Sequence, residues 1–346
     1  EPSIFPKIPD DVSIQILARC SRFHHPLLSL VSKSWRSAIN SPEIFRARSL
    51  LGTAESSLYL CLHSKSSFNW FCVHKPTATS NRVLIPLPRP PETLVGSSVV
   101  SIGPKIFLIG GSILDYPKND VYVFDCRFRT WHPGLKMRLN REFSAAGESH
   151  GNIFIIGGCN VNTASRSTNW AEEFNPETGN STPIPCPIDL KHKWMHGSAV
   201  IGNKLYAMAD RGGVVYDMNT GEWSNVPKRL DLGWRGRATV VNNVLYSYDY
   251  IGKIRGYDVK TDSWKEVRGL EKALPKFLCG ASMGNLGGKL CVVWEEKKSE
   301  GGIDIVYGEI DVTEEDDGGL RGSIASLDVV VVVPRRDVAV THCLGV

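Results

Sequence analysis

The sequence has no apolar run approaching the roughly 18 residues that a membrane-spanning helix needs. Its longest, Val329 to Val333, stops at Pro334. Residues 1 to 20 also lack the basic-then-apolar order of a signal peptide. Because the numbering opens on Glu1, the chain is expected to begin inside a longer product, so a missing leader excludes little. Charge of one sign is scarce as well: 40 basic against 36 acidic side chains leave +4 over 346 residues, which argues against a dedicated nucleic-acid or anionic-membrane surface. The nine cysteines form no C-x-x-C pair and no Cys/His cluster at zinc spacing. Such a scattered, odd set is expected to be reduced and mostly buried, which fits a protein of the cytoplasm or nucleus.

What is present is enough apolar material for a sizeable core, 42% hydrophobic against 22% charged residues. Up to about residue 52 the pattern is helical. Beyond it come short apolar runs punctuated by Gly, Asp, Asn and Pro, the pattern of strands and turns. The shift predicts a domain boundary, with a small domain over 1–52 and a larger one over 53–346. In the first, Pro9-Asp10-Asp11 reads as a capping signal with an acidic first turn, and Val12, Ile16 and Leu17 share a helical face. Pro26 suits a first turn, followed by a stripe of Leu28, Val31, Trp35 and Ile39. Ser41-Pro42 starts a third helix carrying Ile44 and Phe45. Three helices in so short a stretch bury little, so apolar area here should be covered by a partner or by the rest of the chain.

These residues carry a resemblance. Ile8-Pro9-Asp10-Asp11-Val12, Ile16-Leu17, Val31-Ser32-Lys33-Ser34-Trp35-Arg36, Ser41-Pro42 and Arg48-Ser49-Leu50-Leu51-Gly52 resemble an F-box in the form found in plant F-box/kelch proteins. Ile8 stands where Leu is commoner and Ser32 where Cys is commoner, and both changes leave the apolar face intact. The resemblance implies docking onto the Skp-type adaptor of a cullin-RING ubiquitin ligase. On this reading Ile8, Pro9, Val12, Ile16 and Leu17 of the first helix contact the adaptor, joined by Leu28, Val31, Trp35, Ile39 and Pro42.

The larger part repeats. Ile106 to Gly111 and Ile153 to Gly158 share an I-F-x-I-G-G form, while Leu205 to Ala209, Leu245 to Asp249 and Leu290 to Trp294 keep the apolar pattern without the glycine pair. An aromatic-Asx pair follows, at Phe124-Asp125, Phe174-Asn175, Tyr216-Asp217 and Tyr257-Asp258. The matching tryptophans are Trp131, Trp223 and Trp264, with Ser181 in that place in the second block. A spacing of roughly forty to fifty residues suits propeller blades of four strands. Asx turns closing hairpins, paired glycines where the chain is crowded, and flat aromatics between sheets are all structural chemistry. The blocks resemble kelch repeats. The expected fold is therefore mainly β: a six-bladed kelch-type β-propeller preceded by a small three-helix F-box domain, with residues 336–346 closing the ring as the innermost strand of the first blade.

No catalytic residue, metal site or cofactor is expected. His192 and His196 have i, i+4 spacing but lack the intervening Glu of a zinc-protease helix. The lysines near Gly197 to Lys204 and Gly284 to Lys289 match no phosphate-binding loop. The acidic stretch Glu295 to Asp317 lacks the order of an EF-hand and reads as a solvated loop, an insertion in the last blade. Binding is placed instead on the face where the loops between second and third strands meet the blade-to-blade links. Tyr116, Lys118, Arg166, Trp170 and Arg211 are expected there from the loops, with Arg141, Trp194, Trp234, Arg235 and Lys276 from the links. Aromatics interleaved with basic side chains favour an acidic or phosphorylated protein segment. For Trp194 and Trp234 the alternative is that they plug the central channel. The resemblance implies a non-catalytic substrate receptor. Its rivals are a kelch-propeller enzyme of the oxidase or lyase type and an F-box scaffold that does not degrade its partner.

Overall fold

The computed structural model describes all residues except 1–2, 6, 65–66, 76–79, 160–168, 188–194, 210–211, 235, 250, 277, 279, 299–300 and 335–336. The chain divides into two compact units, Glu1–Ser57 and Leu58–Val346.

The first unit contains helices α1 (Asp10–Arg19), α2 (His25–Leu28), α3 (Lys33–Ile39) and α4 (Pro42–Leu50), with a single 3-10 turn at Arg22–His24 before α2. The stripe expected from Leu28 to Ile39 does not form one helix. Ser32 accepts the Trp35 backbone N–H on its hydroxyl at 3.1 Å, and this cap starts α3 afresh after the chain has turned. Asp10 makes no cap on α1 either; its carboxylate accepts the Ile4 N–H at 3.1 Å. Pro42 opens α4 in the first turn, where its missing N–H costs nothing. The core of the unit is small: Leu17, Ala18, Ala38, Ile39 and Ile44. Beside it the Trp35 indole N–H reaches the Ile4 carbonyl at 2.9 Å, with its ring against Phe5. The buried Arg48 guanidinium donates to the Ala18, Cys20 and Thr53 carbonyls and pairs with Glu55 at 3.5 Å. That clasp carries the unit past residue 52 to Ser57.

The second unit is built of antiparallel sheets. Four are four-stranded, a two-stranded hairpin (Ser112–Ile113 with Tyr116–Pro117) projects from the second, and the remaining strands form an eight-stranded sheet. Two halves of the eight-stranded sheet meet only through a short parallel pairing of Val267 with Leu320 and Arg268 with Arg321. The innermost strands are Ser98–Ile102, Ala145–Ser149, Met195–Ile201, Thr239–Val241, Ser282–Leu286 and Val338–Gly345. Each packs against the next, and Val338–Gly345 lies against both Ser282–Leu286 and Ser98–Ile102, so the circle closes as a propeller. Val338–Gly345 also pairs antiparallel with Leu58–Ser64, the second strand of its sheet. Closure leaves no open inner edge for another chain to extend.

Repeat residues do the stitching. Phe124 packs on Trp131 at 5.0 Å, Tyr216 on Trp223 at 4.7 Å and Tyr257 on Trp264 at 5.3 Å between ring centres. Each indole N–H then reaches back to a main-chain carbonyl earlier in the chain: Trp131 to Pro88, Trp223 to Pro185, Trp264 to Arg229. Where Ser181 replaces the tryptophan, Arg138 bridges instead, donating to the Ser181 carbonyl at 2.9 Å. Gly110 and Gly158 have positive φ, and a Cβ there would come within 2.5 Å of the Arg141 carbonyl and 2.6 Å of the Glu142 carbonyl respectively. Only glycine allows the passage.

The acidic stretch from Glu295 differs from expectation. Most of it is strand, with Lys289–Lys297 paired to the twelve-residue Ile303–Glu314. Ile303, Ile305, Tyr307 and Ile310 are buried along it, and this inward series, masked by the interspersed acids, makes it sheet. Outside strand among the described residues are Lys298, Gly301 and Gly302 between the two strands and the turn after Glu314, where Glu315 and Asp317 pair with Arg268 and Arg321.

Candidate functional site

In the helical unit, packing sorts the expected adaptor-binding residues into two groups. Leu17 and Ile39 are core residues, 1% and 4% exposed, because each turns inward beside Ile44; they are not available to a partner. Leu28 and Trp35 are half-buried against the same core, and Ile8 is half-buried. Val12, Ile16 and Val31 are solvent-facing, as are Pro9 and Pro42. Three further apolar side chains outside the expected set are also exposed: Leu27, Leu30 and Leu50, at 67%, 71% and 83%. Leu27 and Leu30 escaped sequence reading because a continuous helix through Pro26 would have aimed them away from the stripe. The small unit thus leaves six large apolar side chains in water, a feature that marks interaction surfaces.

On the propeller, three of the expected target-binding residues are interior. Arg141 is wholly buried: its Nε pairs with Glu172 at 2.9 Å, and its other nitrogens donate to the Gly157, Trp170 and Asn169 carbonyls. The guanidinium ties the link between two sheets to Asn169 and Trp170, just ahead of the strand Ala171–Phe174. Trp170 itself is 1% exposed within the core of the Ala145–Ile184 sheet. Trp234 is also 1% exposed, donates its N–H to the Gly236 carbonyl at 2.9 Å, and forms part of the channel wall. Tyr116 is 74% exposed at the tip of the projecting hairpin, Lys276 is exposed, and Lys118 is half-buried with its backbone bridged to Arg141. Arg166, Trp194, Arg211 and Arg235 lie outside the described residues, as does His192.

The mouth of the central channel is a cavity of about 530 Å³ on the face carrying the blade-to-blade links. Its walls include Phe68, Phe143, Trp234, Met195 and Met283, with hydroxyls from Ser97, Ser98, Ser144, Ser198 and Thr341. Ser98 and Ser144 meet hydroxyl to hydroxyl at 2.9 Å, and Ser198 exchanges bonds with the Ala146 backbone. The charged and titratable groups of the described lining are Arg237, His63, His196, His342 and Cys343. Burial, reinforced by the charge of Arg237, holds His342 down to about 4, so it is neutral at pH 7; its ring stacks on Trp70. At the cavity edge Val95 and Phe143 are exposed apolar groups, and Leu114 and Tyr116 are exposed on the hairpin whose Ser112 is bridged to Val95. Phe143 lies over Gly96, whose carbonyl accepts its N–H at 2.7 Å. Arg237 and Phe143 carry no repeat signature, so the periodicity that located the blades was silent about both.

Reactive groups are muted. Burial pushes the Cys61 and Cys291 thiols up to about 12 and the Cys343 thiol well above its ordinary value. Among the described residues, no three His, Cys, Asp or Glu side chains are grouped to hold a metal ion. No described helix is long and apolar enough to cross a membrane.

Comparison with known proteins agrees with this geometry. An F-box domain matches residues 5–47, and the family described as "FKB95, Kelch-repeats domain" matches residues 60–331. The F-box/kelch-repeat protein At4g39550 of Arabidopsis thaliana is 37% identical, covering 84% of this chain and 80% of its own length. F-box/kelch-repeat protein At4g39590 is 34% identical over 96% of this chain and 88% of its own, and At4g33900 is 32% identical over 98% and 96%; both are from the same plant. With most of the helical unit inside one match and most of the propeller inside the other, the chain belongs to the F-box/kelch-repeat family.

Proposed function

We propose that the chain is the substrate-recognition subunit of an SCF-type E3 ubiquitin ligase, with the F-box held by a Skp-type adaptor and the propeller holding a protein to be ubiquitinated. The observation that carries this reading is the set of exposed apolar side chains, Val12, Ile16, Leu27, Leu30, Val31 and Leu50, on a helical unit matching an F-box. Covering them on a partner helix would remove apolar surface worth roughly 25 cal/mol per Å² before association costs. The receptor performs no covalent step. It raises the local concentration of a target lysine near a charged conjugating enzyme.

The propeller is read as six-bladed, with each half of the eight-stranded sheet as one blade. Its target face is the rim around the channel mouth, where Tyr116, Lys118 and Lys276 remain from the expected set and Leu114 and Phe143 join them. The reading places the protein in the cytoplasm or nucleus, in keeping with the lack of disulfides among the described cysteines.

The test is co-purification of the full chain with a Skp-type adaptor. Val12 and Val31 are exposed, so V12D/V31D should abolish capture while helical circular dichroism is unchanged. Undiminished capture by that variant would overturn the reading.

A further inference from the structure

We propose that the channel mouth is a binding site for a small organic monocarboxylate with an apolar body. Among the described residues, the cavity lining holds one guanidinium and no Asp or Glu. Arg237 donates through Nη1 to the Ser282 hydroxyl at 2.6 Å and to the Val340 carbonyl, which anchors the head between two innermost strands. Its Nε and Nη2 have no partner among the described residues. Those two nitrogens form one edge of the planar fork, the edge that accepts a carboxylate with two parallel hydrogen bonds. Glu295, which receives the Val340 N–H on Oε1 at 2.8 Å, is outside the lining; its charge acts on Arg237 without a hydrogen bond to the guanidinium.

The rest of the cavity fixes the ligand class. Its volume of about 530 Å³ is that of a small-molecule site, not of a flat protein footprint. Phe143 and Trp234 supply apolar surface for a hydrocarbon or aromatic body, while the hydroxyls of Ser98 and Ser198 are already spent on the Ser144 and Ala146 main chain and leave the guanidinium as the main polar anchor. A second negative charge would find no second guanidinium or ammonium in the described lining, where the other basic groups are the imidazoles of His63, His196 and His342, the last neutral at pH 7. That selects a monoanion over a phosphate dianion. The site lies within the propeller, so this inference stands apart from adaptor binding.

The probe is hydrocinnamate, with hydrocinnamyl alcohol as its uncharged counterpart, each titrated into the full chain and followed by saturation-transfer NMR. Hydrocinnamate should bind, and the alcohol should bind roughly tenfold or more weakly because the fork is then left without its anion. R237Q keeps an N–H for the Val340 carbonyl and should lose roughly tenfold in hydrocinnamate affinity, whereas K228A, exposed at the start of the short helix Lys228–Gly233 and outside the cavity lining, should not change it. If R237Q lowers the melting temperature, F143A carries the test, since Phe143 is a rim residue; it should weaken binding several-fold with melting unchanged. Equal binding of acid and alcohol, binding unaffected in both R237Q and F143A, or no transfer to hydrocinnamate from the unsubstituted chain would each overturn the proposal.

Discussion

In the helical unit Val12, Ile16, Leu27, Leu30, Val31 and Leu50 face water, whereas in the propeller five-residue runs within strands, such as Leu58–Leu62 and Leu290–Trp294, are wholly buried. The first unit has a core of five residues and keeps much of its apolar surface outside. The second closes on itself with a strand taken from the far end of the chain. Exposed apolar surface in the small unit is therefore not a shortfall of the sequence, which elsewhere buries such residues thoroughly, and patches of this kind are a mark of interaction surfaces. The largest effect should come from opening the ring. Deleting residues 337–346 removes Val338 and Val340, both buried, and strips the partner from Leu58–Ser64. We expect loss of soluble, monomeric propeller in size-exclusion chromatography, with the helical unit as the folded remainder.

Next comes a buried charge in the propeller. R141M leaves the Glu172 carboxylate without its guanidinium in a site of zero exposure, with the Ser181 hydroxyl and the Arg138 N–H still on its second oxygen. The cost should be about 3–5 kcal/mol in urea denaturation, and the double variant R141M/E172M should cost less than R141M alone. A double variant as unstable as the single would show that Arg141 acts through packing and its carbonyl bonds, not through the pair.

Arg141 also shows how far the sequence could be read. The blade pattern was legible because strand alternation, Asx turns and the aromatic–Trp spacing are local. Phe124 to Trp131 and Tyr257 to Trp264 are set by one hairpin each. Which basic residue faces out is not local. Arg141 and Trp170 sit in links and loops where exposure is the common outcome, yet Glu172, two residues beyond Trp170, draws the guanidinium inside. In the helical unit the outward face was legible for Val12 and Val31 but not for Leu27 and Leu30. Their orientation depends on the Ser32 cap, a side-chain bond that interrupts the periodicity. Arg237 was missed for a third reason: the channel is made by convergence of strands distant in sequence, from Ser98 to Cys343, and no window of the chain contains it.

Titration separates the units without touching their packing. Burial, aided by the charge of Arg48, lowers His25 to about 4 in the helical unit, and burial lowers His342 to about 4 in the propeller. In both, the folded value lies below the unfolded value of about 6.5, so the unfolded chain takes up a proton that the folded chain refuses. The stabilisation is present above about pH 6.5 and is lost as pH falls toward 4. It amounts to up to about 3 kcal/mol per histidine. Urea titrations across that window, followed by helical circular dichroism, should show the helical unit weakening first because its core is the smaller. H25Q should flatten that slope and leave the propeller's unchanged. A slope retained in H25Q would assign the effect to other groups.

The smallest effects sharpen the comparison most, because one hydrogen bond of similar worth can be removed from each unit. In the propeller, Asp217 closes a hairpin by accepting the Asn219 and Thr220 N–H groups at 3.0 and 3.1 Å. In the helical unit, Ser32 accepts the Trp35 N–H at the start of α3. D217A and S32A should each cost about 1 kcal/mol. The entropy of unfolding scales with the number of residues that melt together, so equal losses move the midpoints unequally: S32A should lower the transition of the Glu1–Ser57 unit by about 4–8 °C, and D217A that of the propeller by about 2–4 °C or less. Differential scanning calorimetry of the full chain reads both. Two variants that shift one common transition by the same amount would mean that the helices and the ring unfold as a single cooperative body, and the separateness on which a detachable docking module depends would be lost.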